Sequence, residues 1–170
     1  RTRQGILSED KAEKREELIE LLAKAYWMEM ETVMSYVANS VNPDGVRAQE
    51  IRESLEEDIQ EELAHAQQFA SRIKELYGVV PGSLEFSAEQ SFLQPPDEQT
   101  DVVHVIKGVI EAETGAIEHY NRIIEAADGV GQCGGNGAAG TEAVTGVEED
   151  RLEHRLQDLL QGGVDDAIAD

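Results

Sequence analysis

Apolar side chains recur at steps of three and four residues over three long stretches of this chain, and that period predicts α-helices. The first runs from about 9 to 39, with a stripe of Leu18, Leu22, Ala25, Glu29, Thr32 or Val33, and Tyr36. The second runs from about 46 to 77, with Ile51, Leu55, Ile59, Ala66, Phe69, Ile73 and Leu76 in phase. The third covers about 101 to 127, through Val102, Val105 or Ile106, Val109, Glu113, Ala116 or Ile117, Tyr120, and Ile123 or Ile124. A shorter fourth helix is expected over about 141 to 161, on Leu152, Leu156 and Leu159.

The connections fix how these helices pack. Asn42-Pro-Asp-Gly45 reads as a turn, so the first two helices are antiparallel neighbours. Gly78 is expected as the left-handed cap of the second helix, Thr100 as the cap that opens the third, and Gly129 as the residue that closes it. Residues 79–100 carry Pro81, Gly82, Pro95 and Pro96 and no helical period. At roughly 3.3 Å per residue that segment reaches about 70 Å, whereas a helix over 101–127 is about 40 Å long. It can therefore cross the whole bundle, so the third helix can run parallel to the second. Its apolar residues Val79, Val80, Leu84, Phe86, Phe92 and Leu93 imply that it lies on the bundle. A Gly-rich link, 129–140, leads into the fourth helix. The fold class is all-α: an antiparallel four-helix bundle with one long crossover between helices 2 and 3, in a single domain over 1–170.

Polar residues inside the stripes carry the chemistry. Glu62 and His65 are one turn apart on the buried face of the second helix. Glu29 and Glu113 are in phase on the first and third. A buried charge is costly unless it is paired or holds a metal. Glu31 lies about 200° round the helix from Glu29 and faces elsewhere; Glu111 is out of phase, and His104 and His119 read as surface residues. Glu29 precedes Tyr36 by seven residues, and Glu113 precedes Tyr120 by seven.

With Glu29-Met-Glu-Thr-Val-Met-Ser-Tyr36, Glu62-x-x-His65 and Glu111-Ala-Glu113 with Tyr120, residues 9–127 resemble the ferritin-like superfamily of bacterioferritins, rubrerythrins and Dps-like cage proteins. The resemblance implies two iron ions per subunit, or manganese, with Glu62 and a fourth-helix Glu bridging them. Glu29 and Glu113 are then terminal ligands, and Tyr36 a hydrogen bonder behind them. It also implies ferroxidase-type oxidation of Fe²⁺ by O₂ or H₂O₂, with Glu29, Glu62, His65 and Glu113 as catalytic residues, for iron storage or detoxification in a homo-oligomeric cage. The alternatives are a peroxide-reducing or dismutating di-metal enzyme and a metal-poor helical shell protein. No Cys₄ module is present, which excludes a full rubrerythrin.

The fourth helix departs from the family pattern, because Glu148-Glu-Asp-Arg-Leu-Glu-His154 holds no Glu-x-x-His. If His154 is the ligand, Arg151 takes the bridging position. If the leucines set the register, Glu149 bridges and Leu152 takes the place of the histidine. Periodicity favours Glu149. Either way the second ion lacks a ligand.

Charge narrows the partners. A formal net charge of -22, from 36 acidic and 14 basic residues, repels nucleic acid and anionic membrane and draws cations. Its self-repulsion is screened by salt, which suits a halophilic, high-salt cytoplasm. The single cysteine, Cys133, permits no intrachain disulfide, and no apolar run is long enough to span a bilayer.

Overall fold

The computed structural model describes residues 9–131. After a single 3-10 turn at Glu9–Lys11 come three helices: α1, Ala12–Val41; α2, Ala48–Glu75; and α3, Val102–Gly131. The expected fourth helix, with Glu149 and His154, lies outside the described residues. Within 9–131 the architecture is all-α. No described helix is long and apolar enough to cross a membrane.

The predicted stripes are the buried faces. Leu18, Leu22 and Ala25 of α1 meet Phe69, Ile73 and Leu76 from α2 and Tyr120 and Ile123 from α3 in one apolar cluster. The Phe69 and Tyr120 rings pack at 5.3 Å between centroids, tilted by 44°. Each such aliphatic side chain contributes about 1.5–3 kcal/mol on burial. This layer fixes the axial rotation of all three helices, and so decides which polar residues point inward one or two turns further along.

Topology follows from two contacts at opposite ends. Near the α1–α2 connection, Asp44 N–H donates to Gln99 O at 3.0 Å, just before α3 begins. At the far end, a Cβ on Gly78 would stand 3.0 Å from Ile19 Cγ2, near the start of α1. The crossover therefore returns the chain to the end where α2 began, and α3 runs parallel to α2 and antiparallel to α1. Two 3-10 turns, Ser83–Glu85 and Ser91–Leu93, break its extended path. Leu93 is fully buried and Val80 packs on the core, while Val79 and Leu84 face solvent.

Three caps differ from expectation. At the end of α2 the left-handed residue is Tyr77, with φ 66°, and not Gly78. Gly78 N–H reaches Ile73 O at 2.9 Å and Tyr77 N–H reaches Lys74 O at 3.0 Å, the paired bonds of a Schellman motif. Gly78 is needed for space: a Cβ there would lie 2.8 Å from Ile73 Cγ2 and 3.0 Å from Ile73 O. The αL conformation costs a non-glycine residue roughly 1–2 kcal/mol, and Tyr77 is exposed. Tyr77→Gly is expected to stabilise the protein by about 1 kcal/mol after the extra chain entropy of glycine is counted. Thermal melting checks this; an unchanged or lower Tm counts against it. α3 is capped by Asp101, whose Oδ1 accepts His104 N–H at 2.9 Å, and not by Thr100, whose hydroxyl turns to Glu98. It also continues through Gly129 to Gly131, since one glycine within a helix costs only about 1 kcal/mol.

His119 is buried, contrary to its reading as a surface residue. Its Nε2–H donates to Leu21 O at 2.8 Å and ties α3 to α1. Burial, with Arg122 and Lys24 nearby, lowers its pKa, against the opposing effect of the bond to Leu21. The unfolded chain, with a value near 6.5, therefore binds a proton before the folded one does. The stabilisation is complete above about 6.5 and is lost as pH falls below that value, until the folded histidine itself titrates. His119→Gln keeps a donor but cannot charge. Between about pH 7.5 and 5.5 the parent should lose more stability than this variant; a parent–variant difference constant with pH would refute the assignment.

Candidate metal centre

Above the apolar layer the inward positions become acidic. α1 contributes Glu29, which is 3% exposed, and α2 contributes Glu62, 5% exposed, and His65, half-buried. One donor atom from each of these three lies within 4.8 Å of the others. His65 Nδ1 is 2.9 Å from Glu62 Oε2, so with an ionised Glu62 the ring donates to it. Two donors on one ion at about 2.0–2.2 Å stand about 3 Å apart when adjacent and about 4.4 Å when opposite. The trio is thus gathered at nearly the spacing that one cation requires. Two carboxylates and one imidazole suit Fe²⁺ or Mn²⁺, and a cation offsets the cost of burying the two charges. The residues present fit a metal.

Glu113, half-buried on α3, lies outside that trio and is held by Tyr36 of α1. Tyr36 is fully buried, and its hydroxyl donates to Glu113 Oε1 at 3.0 Å. Burial raises the phenol pKa well above its ordinary value, and the carboxylates of Glu113, Glu62 and Asp58 raise it further. Tyr36 therefore remains protonated at any physiological pH and serves Glu113 as a donor. The charges of three carboxylates from two helices thus act on one phenol.

Asp58 is the residue that sequence reasoning missed. It is 7% exposed, one turn before Glu62 on α2, whereas Ile59, assigned to the stripe, is only half-buried. The signal was present: Asp58 follows Leu55 by three and precedes Glu62 by four, so it shares their face. The apolar pattern favoured its neighbour instead. Glu111 is exposed, as its phase implied.

Glu31 faces away from the centre, as its phase requires, yet it is buried at 6% exposure. Its Oε1 accepts Glu89 N–H at 2.8 Å and Gln90 N–H at 2.7 Å, and its Oε2 accepts Glu89 N–H at 3.0 Å. The Gln90 side chain adds bonds to Thr32 Oγ1 and Met28 O. This carboxylate holds the crossover against α1.

Known proteins resemble this chain. A bacterioferritin of Desulfovibrio desulfuricans is 26% identical over an aligned stretch of 163 residues, which covers 81% of this chain and 91% of the relative. The crystal structure of a ferritin-like, diiron-carboxylate protein from Bacillus anthracis superposes with a TM-score of 0.66 at 19% identity, over 87% of this chain and 94% of that one. That likeness establishes the fold. The sequence profile of the ferritin-like domain matches residues 19–161. With the profile spanning most of its length, the chain belongs to the ferritin-like family.

Proposed function

We propose that this protein oxidises Fe²⁺ at a carboxylate–histidine centre built on Glu29, Glu62 and His65, with Glu113 completing it, and that the ferric product is stored or rendered harmless. The observation that carries this reading is the trio itself, two buried carboxylates and a half-buried histidine whose donor atoms already converge. A buried pair of carboxylates draws a divalent cation out of water, and the chain's net charge of -22 favours the approach. Here Fe²⁺ is the substrate. Each ion gives up one electron, so a pair of ions matches a two-electron reduction of O₂ to H₂O₂, or of H₂O₂ to water.

The chain's own residues bind and orient. Glu62 and His65 are one turn apart on a rigid helix, so their spacing is set by the backbone. Glu29 approaches from α1, and Tyr36 fixes Glu113 by its hydroxyl. Hard carboxylate oxygens favour Fe³⁺ over Fe²⁺, which lowers the cost of losing the electron. The two-ion reading further requires Glu149 or His154, which lie outside the described residues; manganese and a cage-like homo-oligomer belong to the same proposal.

The test is to load the purified protein with Fe²⁺ without oxygen, then admit O₂ or H₂O₂ and follow ferric absorbance and oxidant consumed. Oxidation well above the buffer rate, saturating at a fixed number of ions per chain, is expected. Binding without oxidation, or no binding, overturns the proposal.

A further inference from the structure

On the side of α1 away from Glu29, a cleft of about 260 Å³ opens between α1, the crossover and α3. Its α1 wall is Lys24, Trp27, Met28 and Glu31, four residues on one face. The crossover wall includes Phe92 and Gln90, and the α3 wall is only Ala112 and Gly115. Lys24 is paired with Glu89 at the rim. Trp27 is braced from behind by Phe86, at 5.3 Å between ring centroids. Glu31 is occupied by the crossover's N–H groups. Glu85, Ser87 and Glu89 also stand on the crossover wall, but most of the exposed lining is apolar: indole, thioether, phenyl, the Ala112 methyl group and Gly115.

Position gives this lining a meaning. Met28 and Ala112 are the chain neighbours of Glu29 and Glu113, turned to the outer side of the α1–α3 seam while the carboxylates turn inward. At the seam α3 offers only a methyl group and a hydrogen atom. A Cβ built on Gly115 meets nothing within 4 Å.

We propose that this cleft is the port by which dioxygen reaches the centre, passing the α1–α3 seam at Met28, Ala112 and Gly115. The inference rests on the oxidation reading above. Its physical basis is that the two substrates differ in charge. Fe²⁺ is drawn to carboxylates, which cover this chain. Dioxygen is neutral and apolar, gains nothing from that field, and partitions into apolar space. A separate apolar entry lets oxidant arrive while the acidic surface concentrates the cation. Met28 suits the seam because an unbranched thioether side chain shifts readily to let a small molecule by.

Trp27 is the sole tryptophan of the chain, so its fluorescence reports on this cleft. A Cβ at Gly115 meets open space, and Gly115→Leu replaces a helical glycine by a better helix former, so the variant should occupy the cleft without impairing folding. In the parent, dissolved O₂ should quench Trp27 efficiently, and in Gly115→Leu the quenching constant should fall severalfold. In the same variant, kcat/KM for O₂ should fall severalfold while Fe²⁺ binding measured without oxygen stays as in the parent. Unchanged quenching overturns the port. Reduced quenching with unchanged kcat/KM for O₂ also overturns it, since the cleft would then admit gas that the centre does not use. If the parent binds Fe²⁺ but never oxidises it, the functional reading fails and the port fails with it. The quenching comparison separately tells whether the cleft takes up O₂.

Discussion

Glu62→Ala and His65→Ala should each remove most of the bound iron while leaving the helical content unchanged. Both residues sit on the buried face of α2, and each supplies one of three converging donor atoms. Loss of a residue merely supporting a metal ligand costs about 10–100-fold in affinity, so loss of a ligand should cost at least about 100-fold. Glu62→Ala should be the more damaging, because it also strips His65 of its 2.9 Å hydrogen-bond acceptor. Glu111→Ala, on the exposed side of α3, is the control and should bind iron like the parent. Apo stability should move the other way. Glu62→Gln keeps the shape and removes one negative charge from a group that includes Glu29, Asp58 and Glu113. Its metal-free form should melt above the parent, the usual sign that a binding site is held at the expense of stability. Iron stoichiometry and melting curves of the same preparations check both claims. Unchanged iron in both alanine variants would remove Glu62 and His65 from the centre.

Much of the candidate site was legible in the sequence, and the reason is geometric. Glu29, Glu62, His65 and Glu113 fall in apolar stripes of long, regular helices, and a helix that buries Leu22, Ile73 or Val109 must turn those residues inward as well. Reach allowed the crossover topology and did not require it, since a segment long enough to span the bundle permits a parallel third helix. What escaped was local. At Asp58 two adjacent residues competed for the inward position, and an apolar preference chose Ile59, whereas the bundle at that level buries a carboxylate. His119 escaped because its burial depends on the carbonyl of Leu21 on another helix, which no period of α3 reveals. Tyr77 escaped because the glycine beside it looked like the obvious left-handed residue; packing against Ile19 and Ile73 had already claimed that glycine. Glu149 and His154 lie beyond the described residues, and the choice between them still rests on the leucine register.

Glu31 carries the largest expected effect on stability. A carboxylate that receives two backbone N–H groups forms charge-assisted bonds of about 1.5–3 kcal/mol each. Here Glu89 and Gln90 supply those groups, at 2.7–3.0 Å, from a crossover with few regular backbone bonds of its own. Glu31→Ala leaves the buried Gln90 N–H and the part-buried Glu89 N–H without their acceptor and should destabilise by about 3–5 kcal/mol. At about 2–4 °C per kcal/mol for a chain of this size, Tm should fall by about 10 °C. Relief of self-repulsion opposes this, but one charge removed from a chain of net -22 is a few tenths of a kcal/mol at most once salt screens it. Glu31→Gln separates the contributions. Its single carbonyl oxygen can still accept from both N–H groups, as Oε1 does now, without the charge. It should recover about half of the loss. Iron binding should be nearly unaffected in either variant, because Glu31 faces the crossover and not the centre. A Tm for Glu31→Ala within about 2 °C of the parent would place the anchor elsewhere. The buried Leu93 side chain, with Asn39 Nδ2 donating to Leu93 O at 2.8 Å, would then be holding the crossover without help from the carboxylate.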